Sequence, residues 1–384
     1  MPTNSVPKRP NIENLMPVED FPDPFLSASG VRVKSPTEWP GRRRDIQALL
    51  LAYEYGHLPP PGAMRVEPAA ESTAPALDAP EEQLRLACGS EGQFALSLRL
   101  TVPRGCPGQY PVIVTGDLCW GRAAGAAEAV RRGYALAEFD RTDAAPDSPD
   151  QDRGVLALSP GCDGGTLAAW AWGFHRVVDY LVTRPDVDPR RIIVTGHSRG
   201  GKAALLAGAL DERVALTAPN DSGCGGAGSF RHQGSGSEDL DAITSAFPYW
   251  FHPRLRGFAG QEDRLPFDQH FLLSLVAPRA LLTTNALGDL WANPAGGQQT
   301  YLAAREVYRF LGAEGRIGNH YREGVHAQTA EDWDTLLDFA DAQFQLRGMP
   351  AGFDGRLFPG HPSAFSWIAP GAGHHALRSG PAPV

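Results

Sequence analysis

Ile192-Ile193-Val194-Thr195-Gly196-His197-Ser198-Arg199-Gly200-Gly201-Lys202 is the stretch on which the fold turns. Its first four residues are all β-branched, the pattern of a strand buried on both faces, placed over 191–195. Residues 202–210, rich in alanine and leucine, read as a helix. Between strand and helix lies G-x-S-x-G. Its two glycines flank a bend so tight that a Cβ would clash, and the serine between them is held in a strained conformation with its hydroxyl exposed. The helix N-terminus behind Ser198 favours negative charge at that point.

Outward from this bend, apolar runs at 110–115, 134–139, 214–218 and 280–284 read as further strands. Residues 83–102 alternate as a hairpin through 89–92. Helical spacing marks 38–56, 166–182, 271–276, 298–310 and 330–344. Strands alternating with helices in this order predict an α/β fold: a doubly wound, mostly parallel sheet in a three-layer αβα sandwich. A strand, G-x-S-x-G and a helix inside such a sheet form the nucleophile elbow of the α/β-hydrolase fold. The whole chain, 1–384, is expected to be a single catalytic domain. Residues 1–25, with six prolines, read as an extended arm, and 348–384 as an irregular tail without a fold of its own. No internal repeat is visible.

Hydrophobic residues at 42% and charged residues at 21% suit a globular enzyme, and 43 glycines with 34 prolines predict many ordered loops. A net charge of −9 argues against a nucleic-acid partner. The one basic run, Arg42-Arg43-Arg44, reads as a solvated helix start. No apolar run approaches the ~20 residues that span a bilayer, so no membrane partner is expected. Residues 1–14 are polar and do not read as a secretory signal. The five cysteines are scattered and form no C-x-x-C pattern; one disulfide is open to them, and the odd count leaves a thiol free. No metal and no cofactor are expected, and His374-His375 in the tail reads as solvated.

A serine hydroxyl is a weak nucleophile and needs a base. In this fold the chain order is serine, acid, histidine. His326, in Glu323-Gly324-Val325-His326-Ala327 just ahead of the last long helix, stands where the base belongs. His232, His252, His270 and His320 also follow the serine; His270 sits beside an apolar helix and reads as a core histidine. Two aspartates at strand ends can orient the ring: Asp221, in Asn220-Asp221-Ser222-Gly223, and Asp289, in Gly288-Asp289-Leu290-Trp291. Spacing alone does not separate them. The Arg199 backbone N–H is placed as an oxyanion donor, and its guanidinium can add a cation there. Lys202 lies one helical turn beyond Ser198, where either a cation for an oxygen-rich substrate or a surface lysine fits.

These residues resemble a known family. Gly196-His197-Ser198-Arg199-Gly200-Gly201-Lys202 is similar to the G-[CH]-S-R-x-G-K signature of the glucuronoyl esterases, carbohydrate esterase family 15. Asn220-Asp221-Ser222-Gly223-Cys224-Gly225-Gly226, Phe247-Pro248-Tyr249-Trp250-Phe251 and Asp289-Leu290-Trp291-Ala292-Asn293-Pro294 resemble further segments of that family, in order. Trp39-Pro40 and Tyr53-Glu54-Tyr55-Gly56 also fit, so the likeness runs over about residues 25–345.

The resemblance implies a serine esterase acting on esters of (4-O-methyl-)glucuronic acid, as in lignin–carbohydrate links of glucuronoxylan. It implies Ser198 as nucleophile, His326 as base, Arg199 at the oxyanion, and Lys202, Glu238 and Trp291 around the uronate. The family's acid is usually a glutamate where this chain has Asp221, one methylene shorter; some bacterial relatives carry an acid at the position of Asp289, or both. Both stand as candidates, Asp221 first. The resemblance also implies a secreted or periplasmic enzyme, and a monomer is expected. Alternatives are an acetyl-xylan or general carboxylesterase, and a non-catalytic carbohydrate-binding relative.

Overall fold

The apolar runs pair into one sheet. The computed structural model describes residues 11–105, 108–348 and 351–371. Among them, the strands are β1 (Met64–Ala74), β2 (Ala79–Cys88), β3 (Phe94–Thr101), β4 (Tyr110–Thr115), β5 (Ala135–Phe139), β6 (Val187–His197), β7 (Leu216–Asn220), β8 (Ala280–Ala286) and β9 (Ile317–Arg322). Their order across the sheet is β1-β2-β3-β5-β4-β6-β7-β8-β9. The first three pair antiparallel and β3 meets β5 antiparallel; the rest is parallel.

Every residue of β4, β5, β7 and β8 is buried, which is why these strands read as continuous apolar runs rather than alternating ones. Alternation survives in which face each side chain serves. Val112, Val114, Ile192 and Val194 enter one core; Ile113, Leu136, Ile193 and Leu282 enter the other.

Nine α-helices follow among the described residues: α1 (Trp39–Leu50), α2 (Ala126–Arg131), α3 (Gly154–Ala157), α4 (Thr166–Leu181), α5 (Arg199–Leu210), α6 (Leu240–Ala246), α7 (His270–Val276), α8 (Pro294–Phe310) and α9 (Ala330–Gln343). Helices α1, α4, α5, α7 and α8 pack into the first core, and α2 and α9 into the second. This is the doubly wound, three-layer α/β-hydrolase architecture expected from the sequence, with β6 central. No helix among the described residues is long and apolar enough to cross a membrane.

Several local expectations shift. Strand β6 begins four residues before the expected 191, β7 ends two residues past 218, and α5 starts at Arg199 because Ser198 itself ends the strand-to-helix bend. Strands β1 and β9 and helices α2, α3 and α6 lie outside the expected elements. Arg42-Arg43-Arg44 is no solvated helix start. Arg42 is buried, with Nε donating to Pro24 O at 2.8 Å, and Arg43 donates to Leu275 O and Ala209 O and pairs with Glu212. Two of the three arginines therefore tie α1 to its neighbours, and only Arg44 faces water.

The arm is anchored by its aromatic residues. Phe21 and Phe25 are buried, Phe21 stacks on His270 at 4.6 Å, and Trp367 of the tail donates to Phe21 O at 2.9 Å. His270 is a core histidine, its Nε2 donating to Pro22 O at 2.9 Å, and burial pushes its pKa down to about 4. Cys88, Cys119, Cys162 and Cys224 are free thiols. Residues 1–10, Cys106 and His374-His375 lie outside the described residues.

Candidate active site

The bend after β6 explains both glycines of the motif. Ser198 sits at φ +55°, a region that costs a residue with a side chain about 1–3 kcal/mol and persists only where its surroundings enforce it. A Cβ on Gly196 would lie 2.6 Å from the Gly200 carbonyl carbon, and one on Gly200 would lie 2.0 Å from Asp117 Oδ1. The Ser198 N–H donates to Asn220 O at 2.9 Å, and the His197 N–H to Asp117 Oδ2 at 2.8 Å. Asp117 pairs in turn with Arg141, which is 1% exposed and lies over the rings of Trp120 and Trp170. Burial pushes the Asp117 carboxyl above its ordinary value, and the Arg141 charge opposes that. The elbow is thus braced from below by a carboxylate at the end of β4.

On one flank of the serine stand His326 and two aspartates. His326 Nδ1 lies 2.5 Å from Asp289 Oδ2. A neutral ring that donates through Nδ1 to a carboxylate keeps its lone pair on Nε2, the tautomer a general base needs. Asp289 is 5% exposed, and its other oxygen accepts from Ala292 N at 3.3 Å, so two partners fix its angle.

Asp221 does not hold the ring. Its Oδ1 accepts from Ala286 N at 2.7 Å and its Oδ2 faces Arg322 at 3.5 Å. Burial pushes its pKa up to about 7, with the Asp289 charge adding to the rise. The order expected between the two acids is therefore reversed in the geometry. The aspartate side chain, one methylene shorter than glutamate, is satisfied by the end of β8 before it reaches the imidazole.

Arg322, at the end of β9, gathers the histidine loop. It donates to Val325 O at 3.2 Å, to Ala327 O, and through Nε to Asp332 at 2.7 Å. The His197 ring lies 4.4 Å from the His326 ring, and its Nδ1 lies 2.7 Å from Asn220 Oδ1. Burial lowers the His197 pKa to about 4, so His197 stays neutral near pH 7. A hollow of about 200 Å³ opens on this flank, bounded by Trp120, Arg122, His197 and Gln328 among others.

Asp221, Asp289 and His326 each place one possible ligand atom within 4.8 Å of the others. The short Asp289–His326 hydrogen bond and the Arg322 guanidinium beside Asp221 suit an acid–base pair better than a cation, since a cation would have to displace both.

The other flank is built on α5. Arg199 pairs with Asp147 and lies 4.8 Å over the Trp250 ring. Lys202 is 4% exposed, and its Nζ donates to Ser222 O at 2.6 Å. Burial lowers the Lys202 pKa while the Glu238 charge raises it; burial raises Glu238 while Lys202 and the Trp291 side chain draw it back. The Glu238 N–H donates to Trp291 O at 3.0 Å, and Trp291 leaves 54% of its surface exposed. Lys202 is therefore no surface lysine. It is a buried cation held by Ser222 O, near enough to the buried Glu238 carboxylate for each charge to act on the other, and Glu238 in turn meets the exposed Trp291.

The eight residues singled out from the sequence cluster around the end of β6. Sequence reading missed Asp117, Asp147, Arg141, Arg322 and Asn220. Asn220 stood in a quoted segment, and its amide contacts could have been sought there. Asp117, Arg141 and Asp147 carry no local signal, because each meets the site through a partner distant in the chain, whereas Arg322 stands three residues before Val325, whose carbonyl it holds.

The comparisons with known proteins agree with this geometry. Residues 88–312 match the family model described as "Glucuronyl esterase, fungi". A carbohydrate esterase from an unknown prokaryotic organism is 33% identical over 393 residues, spanning 86% of this chain and 90% of its own. A 4-O-methyl-glucuronoyl methylesterase 1 from Wolfiporia cocos (strain MD-104) is 31% identical over 320 residues, 78% of this chain and 75% of its own. The solved glucuronoyl esterase of carbohydrate esterase family 15 from Caldicellulosiruptor kristjansonii superposes with a TM-score of 0.79 at 33% identity, covering 94% of this chain and 99% of its own.

Proposed function

Because the chain belongs to the glucuronoyl esterases, carbohydrate esterase family 15, we propose that it hydrolyses esters of (4-O-methyl-)glucuronic acid by two-step acyl transfer at Ser198. The observation that carries the substrate side is the burial of Lys202 one turn from Ser198, with Nζ on Ser222 O and the buried Glu238 carboxylate within electrostatic reach, a place where a simple acetyl esterase needs no charge.

Ser198 Oγ attacks the uronate carbonyl carbon as His326 Nε2 takes its proton. Asp289 holds Nδ1 and stabilises the imidazolium. The oxyanion forms at the N-terminus of α5, where the Arg199 N–H and guanidinium meet it. His326 then returns the proton to the leaving alcohol oxygen. Water enters by the same route and hydrolyses the acyl-enzyme. Lys202 and Glu238 bind ring hydroxyls, and the exposed face of Trp291 packs on the sugar. The natural substrate in this reading is the glucuronate–lignin ester of glucuronoxylan, met outside the cytoplasm by a monomer.

The test is a panel of methyl and benzyl esters of glucuronic and galacturonic acids against p-nitrophenyl acetate, with Ser198→Ala alongside. Glucuronate esters should lead, and Ser198→Ala should lose about 10⁴-fold or more in kcat. Preference for the acetate would favour a general carboxylesterase, and an active Ser198→Ala would remove the mechanism altogether.

A further inference from the structure

The Arg199 cation is not free to find its own place. Its guanidinium pairs with Asp147 Oδ2, and its Cζ lies 4.8 Å from the Trp250 ring centroid and 5.2 Å from that of Phe247. Those two rings are themselves stacked, 3.8 Å apart and 4° from parallel. Asp147 also reaches this wall: its Oδ1 accepts from Trp250 Nε1 at 2.8 Å and from the Tyr249 hydroxyl at 3.1 Å. The wall is bolted to the fold, since the N–H groups of Thr166 and Leu167 at the start of α4 donate to Tyr249 O and Trp250 O at 2.9 and 3.2 Å. One carboxylate thus joins the cation beside the nucleophile to the aromatic platform under it.

We propose that Asp147 is a positioning residue for the reaction, acting through Arg199; the proposal rests on the reading of Arg199 as the oxyanion cation. A guanidinium on a flexible stem stabilises a developing negative charge only if it is already in place when the charge appears. Asp147 supplies that placement from the loop after β5. Its negative charge also weakens the field of Arg199, so fixing the cation must outweigh partly neutralising it. Both side chains are only partly exposed, so the neutralisation is incompletely screened, and the geometric gain has to exceed it for the role to hold.

The experiment is a double-mutant cycle on benzyl glucuronate, with thermal melting of every variant. Asp147→Asn, which keeps an acceptor for Trp250 and Tyr249, should lower kcat about ten-fold with KM within about two-fold. The loss should disappear in an Arg199→Ala background, and Asp147→Glu should recover part of it. Trp250→Phe, which removes the indole N–H and keeps the platform, should show a smaller loss that also vanishes with Arg199→Ala. This second cycle decides the matter if Asp147→Asn does not fold. Parent kcat in Asp147→Asn, or an undiminished loss in the Arg199→Ala background, overturns the role of Asp147 while leaving Arg199 standing. Parent kcat in Arg199→Ala itself removes the underlying reading, and Asp147 with it.

Discussion

On the α5 side of Ser198 the charged groups are tied to the scaffold, Lys202 and Glu238 buried and Arg199 partly so; on the β9 side the His326 ring hangs from a loop with 43% of its side chain exposed. Lys202 and Glu238 are nearly inaccessible, and Arg199 is pinned between a carboxylate and two rings. His326 is hydrogen-bonded to Asp289 and packs on the His197 ring, and its loop is gathered by Arg322. The chemistry accounts for the contrast. Groups that meet a charge must be fixed before it forms, because reorganising them during the reaction cancels their benefit. A base must serve two oxygens in succession, the serine's and the alcohol's, so slight freedom of the ring is compatible with its task.

The largest effect that tests this contrast concerns the two aspartates. Asp289→Asn should lower kcat by about 10²–10⁴-fold, because an amide no longer selects the tautomer with its lone pair on Nε2. Asp221→Asn should cost less than about ten-fold, since Asp221 touches Ala286 N and Arg322 rather than the ring. Steady-state rates on benzyl glucuronate decide it; the opposite ranking would make Asp221 the working acid.

Next in size is the cation side. Under the proposed function, Lys202→Ala should reduce kcat/KM on glucuronate esters about a hundred-fold, because it removes the proposed donor to the sugar and a positive charge that acts on the buried Glu238. The loss on p-nitrophenyl acetate should stay under about ten-fold. Equal losses on both substrates would mean that Lys202 only holds the fold together.

The smallest effect is on stability. Burial raises the Asp221 carboxyl from its ordinary 3.8 to about 7. Between those values the folded chain keeps a proton that the unfolded chain has released. Stability therefore falls as pH rises through the window, and the contribution is fully present only below it. Asp221→Asn has no proton to lose. Its melting temperature relative to the parent should rise by a few degrees between pH 4 and pH 8. Parallel melting curves for the two proteins across that range would show that Asp221 ionises at its ordinary pH in the fold.

Much of this was legible in the sequence where the constraint is local. The elbow could be read because Gly196, Ser198 and Gly200 each answer to a backbone condition within a few residues. The buried strands could be read because both of their faces are covered, which leaves the apolar runs of β4 and β8 uninterrupted. β1 escaped because it is an edge strand with Pro68 and a register shift beside it, so no alternation marks it. β9, Ile-Gly-Asn-His-Tyr-Arg, pairs with a strand on one side only, meets the other side of the chain just at the Asn319–Asp354 bridge, and carries few apolar residues.

Within the site, Lys202 could be placed one turn from Ser198 but not sunk, because its burial depends on Ser222 and Glu238, brought in by two other loops. Asp147 and Arg199 stand 52 residues apart and meet only through the sheet order. The choice between Asp221 and Asp289 turned on where a short side chain stops, a distance that no spacing rule carries.

The carboxylate under the elbow has a practical consequence for anyone recoding this chain. Asp117 occupies the volume that a methyl group at position 200 would need, and it neutralises an arginine with almost no access to water. A library that varies residue 200 alone therefore samples broken turns, and one that trims Asp117 to make room strands the Arg141 charge. Positions 117, 141 and 200 come from three separate segments, yet any workable redesign has to treat them as one letter of the alphabet.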